Sequence, residues 1–390
     1  MTTSPPFKPT PLRRLVTVPH LVAVDLPGGP GFVDELRRQW DAGNAVLPVD
    51  RRLPAPAKQA LFEVLRPDVV VDADGTRPLA GDGVEPGDAL VVATSGSTGT
   101  PKGVVLTHDA VAASALASSR RLGTTSADTW LACLPLSHVG GLSVVTRALV
   151  TGAGLVVHDG FDAHDVEQAA ADGATAVSLV ATAMRRIDAS LFRVVLLGGS
   201  RPPEDLPSNV HTTYGMTETG SGVVYDGVPL DGVEIRIADD GEVLIRCAMQ
   251  LRCYRDGTTP VDGDGWLHTG DLGRLRSDGR LHVDGRRGDV VVTGGEKVWP
   301  DPVEAILATH PAVAEVAVAG VPDPEWGQRV TAWVVPRPGV DAPTLADLRA
   351  LVAAQLPAHC APKEIRLVDQ LPRTALFKVQ RHRLHGLRSY

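Results

Sequence analysis

Thr94-Ser-Gly-Ser-Thr-Gly-Thr-Pro-Lys-Gly103 is the stretch from which the rest of the chain can be read. The apolar run before it, Ala89-Leu-Val-Val-Ala93, has the composition of a buried strand. After it come Val104-Val-Leu106, Thr107, and then an alanine-rich segment with helical spacing from His108. Glycines let the backbone turn sharply and bring N–H groups close to a ligand. The serine and threonine hydroxyls add short donors, and Lys102 adds a point charge. Such a loop makes a nest for an oligophosphate. It is not a Walker A loop, which needs four residues between its first glycine and the Gly-Lys pair, then Ser or Thr. Here only Thr100-Pro101 separate Gly99 from Lys102, and Gly103 follows the lysine.

Composition narrows the partners. The chain has 390 residues, 43% hydrophobic and 22% charged, enough for two or three structural units. Its net charge of -8 argues against a nucleic-acid partner. No stretch approaches the roughly 18 apolar residues of a membrane span, and the N-terminus lacks the apolar core of a signal peptide. Cys133, Cys247, Cys253 and Cys360 show no metal or redox spacing, so reduced thiols in the cytoplasm are expected. Lysine is rare, at positions 8, 58, 102, 297, 363 and 378. In an arginine-rich chain, Lys102 and Lys378 both fall within motif-like loops, and arginine cannot replace lysine where one donor must reach a single oxygen.

From residue 89 to about 225 strand and helix patterns alternate. Strands are predicted at Ala89–Ala93, Thr129–Leu134, Gly154–His158, Ala176–Val180 and Val194–Leu197. Helices are predicted at His108–Arg121, Leu142–Leu149 and Ala163–Ala171. This is the pattern of an α/β fold, a layered sheet with helices on its faces. Upstream, Phe32–Trp40 and Ala57–Leu65 read as helices, and Ala45–Val49 and Val69–Val71 as strands. From about 223 to 284 the pattern becomes β-rich, with short strands at Val233–Ile237, Gly241–Arg246, Gly273–Leu275 and Leu281–Val283. Gly265-Trp-Leu-His-Thr-Gly-Asp271 reads as a strand end with a turn aspartate. Asp284-Gly-Arg-Arg-Gly-Asp289 reads as a hinge. The expected division is therefore 1–285, a large N-terminal layered α/β domain with a small β-rich subdomain, and 286–390, a small mobile α+β domain. In the latter, Gly294–Pro300 reads as a loop, Pro302–Thr309 and Leu345–Gln355 as helices, and Ala314–Val321, Arg329–Val335 and Glu364–Val368 as strands.

The loop at Thr94–Gly103, Thr213-Tyr-Gly-Met-Thr-Glu-Thr219 and the closing Leu371-Pro-Arg-Thr-Ala-Leu-Phe-Lys378 together resemble the adenylate-forming (AMP-binding) superfamily. Its members include acyl- and aryl-CoA ligases, peptide-synthetase adenylation domains and luciferases, which activate a carboxylate with ATP. The resemblance runs from residue 89 to 381. It implies that Thr94, Ser95, Gly96, Ser97, Thr98, Gly99 and Lys102 hold the leaving phosphates. It places Gly198, Gly199 and Ser200 beside adenine, and Thr213, Tyr214, Gly215, Met216 and Thr217 along the nucleotide. Glu218 would carry Mg2+, Asp271 would accept from the ribose hydroxyls, and Arg286 would sit at the domain junction. Lys378 would be the catalytic lysine, with Glu218 and Lys102 beside it in the chemistry. The resemblance also implies a hinge at Gly288 and a CoA side formed by Gly294, Gly295 and Glu296. The chain departs from the usual motif in having Leu376-Phe377, where relatives carry Asn-Gly.

Leu134–Leu142, Thr213–Gly222, Asp226–Val233 and Gly294–Pro300 are most similar to the o-succinylbenzoate–CoA ligases of menaquinone biosynthesis. That resemblance implies an aromatic acid with two carboxylates, ATP, coenzyme A and Mg2+, and a pocket drawn from His138, Ser200, Arg201, Ser221 and Gly222. A buried second carboxylate needs a cation or several donors. Arg201 and His138 are the candidates. Another acyl- or aryl-CoA ligase, an enzyme loading a carrier protein, and a nucleotide-binding regulator are the alternatives. A homodimer is left open.

Overall fold

The computed structural model describes residues 18–95, 101–199, 205–373 and 379–387. Two large sheets dominate its N-terminal part. The first runs, in spatial order, Cys253–Tyr254, Pro101–Thr107, Asp88–Ser95, Ala45–Pro48, Leu21–Val24, Val69–Asp72 and Gly75–Pro78. The second runs Val228–Pro229, Ser221–Tyr225, Val210–Met216, Val194–Gly198, Ala176–Val180, Thr129–Ala132 and Gly154–Val157. The centre of each is parallel; the edges are antiparallel except Gly154–Val157, which pairs parallel with Thr129–Ala132.

The apolar runs in the sequence follow from burial on both faces of these sheets. Val22 and Val24 join the large core between the sheets, with Trp130, Ala132, Leu90, Val92, Val104 and Leu106. Their neighbours Leu21, Ala23, Val91 and Val105 pack on the opposite face with Leu61 and Leu65 of helix Ala55–Leu65. Leu131 and Cys133 pack against Val166 and Ala169 of helix Ala163–Ala171. Helices Pro30–Asp41, His108–Leu122 and Val139–Thr151 contribute to the layer between the two sheets.

Four antiparallel strands, Glu234–Ile237, Glu242–Arg246, Leu267–Leu275 and Leu281–Arg286, form a third sheet. A fourth holds Val291–Thr293, Glu296–Val298, Val313–Asp323, Gly327–Pro336 and Glu364–Leu367. Helices Pro300–Leu307 and Leu345–Ala353 supply Val303, Leu307, Leu348 and Val352 to its core. That core shares no residue with the cores of the first two sheets. The fold is thus a large N-terminal α/β domain followed by a smaller α+β domain.

The structure corrects the sequence reading in four places. The strand predicted to run to Leu134 stops at Ala132. The helix predicted from Leu142 begins at Val139 and runs to Thr151, so Gly140 and Gly141 are helical. Asp271 does not end a strand. It lies inside Leu267–Leu275, 5% exposed, in a strand that begins before the predicted Gly273. Gly294–Pro300 is not a plain loop, because Glu296–Val298 pairs back on Val291–Thr293.

Gly141 explains the second correction. A Cβ there would meet Leu134 O at 2.3 Å and Pro135 O at 2.6 Å, so the helix lies directly on the backbone leading into it. At Gly140 the nearest atom is Leu134 Cδ1 at 3.6 Å. Gly141→Ala is expected to destabilise the protein by about 1–3 kcal/mol through overpacking. Gly140→Ala should be neutral or stabilising by up to about 1 kcal/mol, because it relieves a helix interior of glycine. Paired denaturant titrations of the two variants check the contrast.

Candidate functional site

Thr94 and Lys102 face each other across the antiparallel pair Asp88–Ser95 and Pro101–Thr107, with Ser95 opposite Pro101. The described parts of the quoted stretch, Thr94–Ser95 and Pro101–Gly103, therefore lie in two paired antiparallel strands. Gly103 is required by crowding: a Cβ would sit 2.7 Å from Leu65 Cδ2, 2.8 Å from Val91 Cγ1 and 3.0 Å from Arg255 Cβ. Gly96, Ser97, Thr98, Gly99, Ser200, Arg201 and Lys378 lie outside the described residues.

Lys102 extends over the ring of Tyr254, with Nζ 4.5 Å from its centroid. Tyr254 pairs with Val104, two residues beyond Lys102, so the contact is a diagonal cross-strand one. The Tyr254 hydroxyl donates to Glu218 Oε1 at 2.9 Å. Burial, together with the charge on Glu218, pushes the Tyr254 phenol well above its ordinary pKa and keeps it a donor. Glu218 sits in the 3-10 turn Thr217–Thr219, which follows strand Val210–Met216. The buried Thr219 hydroxyl accepts from Met216 N at 3.0 Å and lies 2.8 Å from Ser221 O. Leu251 N donates to Glu218 O at 2.7 Å. Three distant segments thus bring an ammonium, a phenol and a carboxylate together. Among the described residues no group of three or more His, Cys, Asp or Glu could hold a metal. A lone carboxylate beside a lysine suits Mg2+, which keeps waters and phosphate oxygens among its ligands.

A second cluster surrounds Asp271. Tyr214 Oη donates to Asp271 Oδ2 at 2.7 Å, and Arg286 Nε lies 2.9 Å from Asp271 Oδ1. Asp271 and Arg286 are opposite each other on adjacent strands. Arg286 Nη1 also donates to Thr269 O at 2.9 Å. Burial foremost, then the Asp271 carboxylate, raises the Tyr214 pKa far above the ordinary phenol range. Gly215 permits the bulge that follows Tyr214: its Cβ would meet Ser221 O at 2.2 Å. The same hairpin sets Ser221 and Gly222 beside Met216 and Gly215. Parallel pairing of Val194–Gly198 with Val210–Met216 brings Gly198 to Thr213, whose hydroxyl donates to Leu197 O at 3.3 Å. Gly199 follows with a φ of 93°.

His138 occupies the N-cap of helix Val139–Thr151, with Nε2 3.7 Å from Asp50 Oδ2. Burial acts to raise the Asp50 pKa, but His138 and Arg52 outweigh it and hold the carboxyl well below its usual range. Asp50 belongs to no motif of the sequence. Arg147 was missed too. It is 1% exposed on the same helix, stacks 4.6 Å from the Trp130 ring and donates from Nε to Ser118 Oγ at 2.8 Å. Its Nη1 has no hydrogen-bond partner among the described residues. Tyr225, whose phenol neighbours the Arg147 guanidinium, lies against Gly222, where a Cβ would be 2.8 Å from Tyr225 Cε1. An arginine inside an apolar helical pattern is the signal that could have revealed it.

Gly294 and Gly295, with φ of 60° and 85°, turn the hairpin that carries the exposed Glu296. Gly294 N donates to Trp326 O at 2.9 Å. Gly288 lies between two anchors. Arg287 reaches Asp240 at 2.9 Å and Glu242 at 3.2 Å in the third sheet. Asp289 receives Arg381 at 3.2 Å, and Arg381 also binds Asp301 and Glu304. Nothing lies within 4 Å of where a Gly288 Cβ would be.

The AMP-binding enzyme pattern matches residues 77–254, and that of the AMP-binding enzyme C-terminal domain matches residues 302–378. A probable 2-succinylbenzoate–CoA ligase of Mycobacterium tuberculosis is 41% identical over 326 residues, covering 77% of this chain and 85% of the relative. The 2-succinylbenzoate–CoA ligase of a Geobacillus species is 35% identical over 339 residues, covering 77% and 69%. Among solved structures, o-succinylbenzoate CoA synthetase from Bacillus subtilis with its acyl-adenylate intermediate superposes with a TM-score of 0.86 at 28% identity. That match covers 96% of this chain and 90% of the other.

Tyr214→Phe tests the second cluster. It removes the Tyr214 hydrogen bond from the buried Asp271 carboxylate while Arg286 stays in place, and should lower stability by about 1.5–3 kcal/mol. Denaturant titration reads the stability, and calorimetric titration with AMP should show weakened binding.

Proposed function

The chain belongs to the AMP-binding enzymes, and from that premise we propose that it is an ATP-dependent ligase joining 2-succinylbenzoate to coenzyme A through an acyl-adenylate. The observation that carries the reading is the convergence of Thr94, Lys102, Glu218, Tyr214, Asp271 and Arg286, distant in sequence, on two compact clusters. The similarity to 2-succinylbenzoate–CoA ligases supports the choice of acid.

In the first half-reaction a carboxylate oxygen attacks the α-phosphorus of ATP, forming the acyl-adenylate and releasing pyrophosphate. The protein's share is positioning and charge stabilisation. Lys102 and the loop around it meet the leaving phosphates. Asp271, held by Tyr214 and Arg286, presents acceptor oxygens to the ribose hydroxyls. Glu218 would hold Mg2+, which when bound neutralises phosphate charge. Lys378 bridges carboxylate and phosphate as charge develops. In the second half-reaction the thiol of coenzyme A attacks the acyl carbon and AMP leaves. Rotation about Gly288 withdraws Lys378 and brings Gly294, Gly295 and Glu296 to the site.

The acid's second carboxylate needs a cation, because burying it unpaired is costly. Arg147, buried on the helix that follows His138 and beside Tyr225, which packs against Gly222, is a further candidate for that cation. His138 and Arg201 remain candidates for the pocket rim, together with Ser200 and Ser221.

Pyrophosphate release with a panel of carboxylates, with and without coenzyme A, tests the function. The reading expects release with 2-succinylbenzoate and a thioester when coenzyme A is present. Equal turnover of benzoate or a fatty acid would sink the substrate assignment and leave the ligase. Lys378→Ala should cripple acyl-adenylate formation while largely sparing thioester formation from supplied acyl-adenylate. Equal loss in both half-reactions would overturn its role. Gly288→Pro fixes φ near roughly -65° and should slow one half-reaction far more than the other, as single-turnover measurements would show.

A further inference from the structure

Lys102 and Glu218 carry opposite charges on flexible stems at the same place. Left alone, two such groups pair directly, and each neutralises the other. Among the described residues no ion pair joins them. Tyr254 stands between: its hydroxyl is bonded to Glu218 Oε1 at 2.9 Å, and its ring face lies 4.5 Å below the Lys102 ammonium.

The tyrosine is fixed from every side. Its strand, Cys253–Tyr254, adds to the first sheet opposite Val104 and Val105. Tyr254 N donates to Thr258 O at 2.7 Å, and Arg255 N donates to Gly103 O at 2.7 Å. The Arg255 guanidinium then ties the segment to Leu65 O at 3.0 Å. Leu251, three residues earlier, is bonded to the backbone of Glu218 itself. The ring therefore moves with both of the groups it touches. A tyrosine also loses little conformational freedom in such a role, having only two side-chain torsions.

Building on the function proposed above, we infer that Tyr254 is a positioning residue for magnesium–nucleotide binding. One rigid ring holds the Glu218 carboxylate through its hydroxyl and the Lys102 ammonium through its face. It keeps acid and base a fixed distance apart, leaving the carboxylate for the cation and the ammonium for phosphate. The ring is a spacer and takes no part in bond making.

Tyr254→Phe removes the hydroxyl and keeps the ring. Tyr254→Leu removes both contacts. Binding of Mn2+–ATP, followed by electron paramagnetic resonance on the full chain, needs no turnover. Loss of a group that orients a metal ligand weakens metal binding by about 10-fold or more. Tyr254→Phe is therefore expected to weaken Mn2+–ATP by about 10-fold and to raise the Mg2+ midpoint of pyrophosphate release, with the KM for the acid unchanged. Tyr254→Leu should in addition raise the KM for ATP. Wild-type Mn2+–ATP affinity in Tyr254→Phe overturns the inference, as does an increase confined to the acid's KM. If the wild type released no pyrophosphate with any acid, the ligase reading would fall, while the Mn2+–ATP titration would still decide the role of Tyr254.

Discussion

The antiparallel ladder between Asp88–Ser95 and Pro101–Thr107 is the constraint on which the site depends. One end of it delivers Thr94 and Lys102. Its outer edge receives Cys253–Tyr254, and through Tyr254 the ladder reaches Glu218. Asp88 at the other end is buried and bound by Arg252 through Nε at 2.9 Å and Nη2 at 2.8 Å, which locks the tyrosine segment to the same strands. Glu85 extends that pairing at the surface. Backbone hydrogen bonds therefore set distances between side chains that come from residues 102, 218 and 254.

Much of the fold could be read from periodicity, because strands buried on both faces leave continuous apolar runs and the helices between them do not. The layered α/β class and the alternation of strands and helices followed from that; the division into two sheets did not, nor did the strands Leu21–Val24, Val210–Met216 and Ser221–Tyr225. The errors came where tertiary contact overrides local preference. Gly140 and Gly141 look like a loop, yet close approach of the helix to Leu134 and Pro135 needs the missing side chain at 141. Asp271 looks like a turn residue, yet a buried network of Tyr214 and Arg286 satisfies it within a strand. Residues outside any motif were harder still. Tyr254 gains its meaning from cross-strand register, Asp50 from a histidine far along the chain, and Arg147 from enclosure by Trp130, Ser118 and Tyr225. Only Arg147, an arginine within an apolar helical pattern, leaves a local mark, and that mark does not say what encloses it.

The junction between the two domains distributes charge unevenly. Arg287 is about half exposed and its bonds to Asp240 and Glu242 contribute little by themselves. Arg381 is mostly buried and is ringed by Asp289, Asp301 and Glu304. Burial raises the Glu304 pKa, with Arg381 opposing that shift. The contrast makes the Arg287 side the weaker hold and the Arg381 side the firmer one. A motion centred on Gly288 would release the former first.

The hairpin that ends at Thr94 and Lys102 also bears on how such a chain can diverge. Side chains along a strand alternate faces, so a slip of one residue in the ladder turns every one of them over. Lys102 and Val104 share a face, and Tyr254 meets both only in the present register. An odd insertion inside either flanking strand would send the ammonium to the side occupied by Leu61 and Leu65. Parity of residue count in the two strands therefore decides which face of the sheet carries the ammonium.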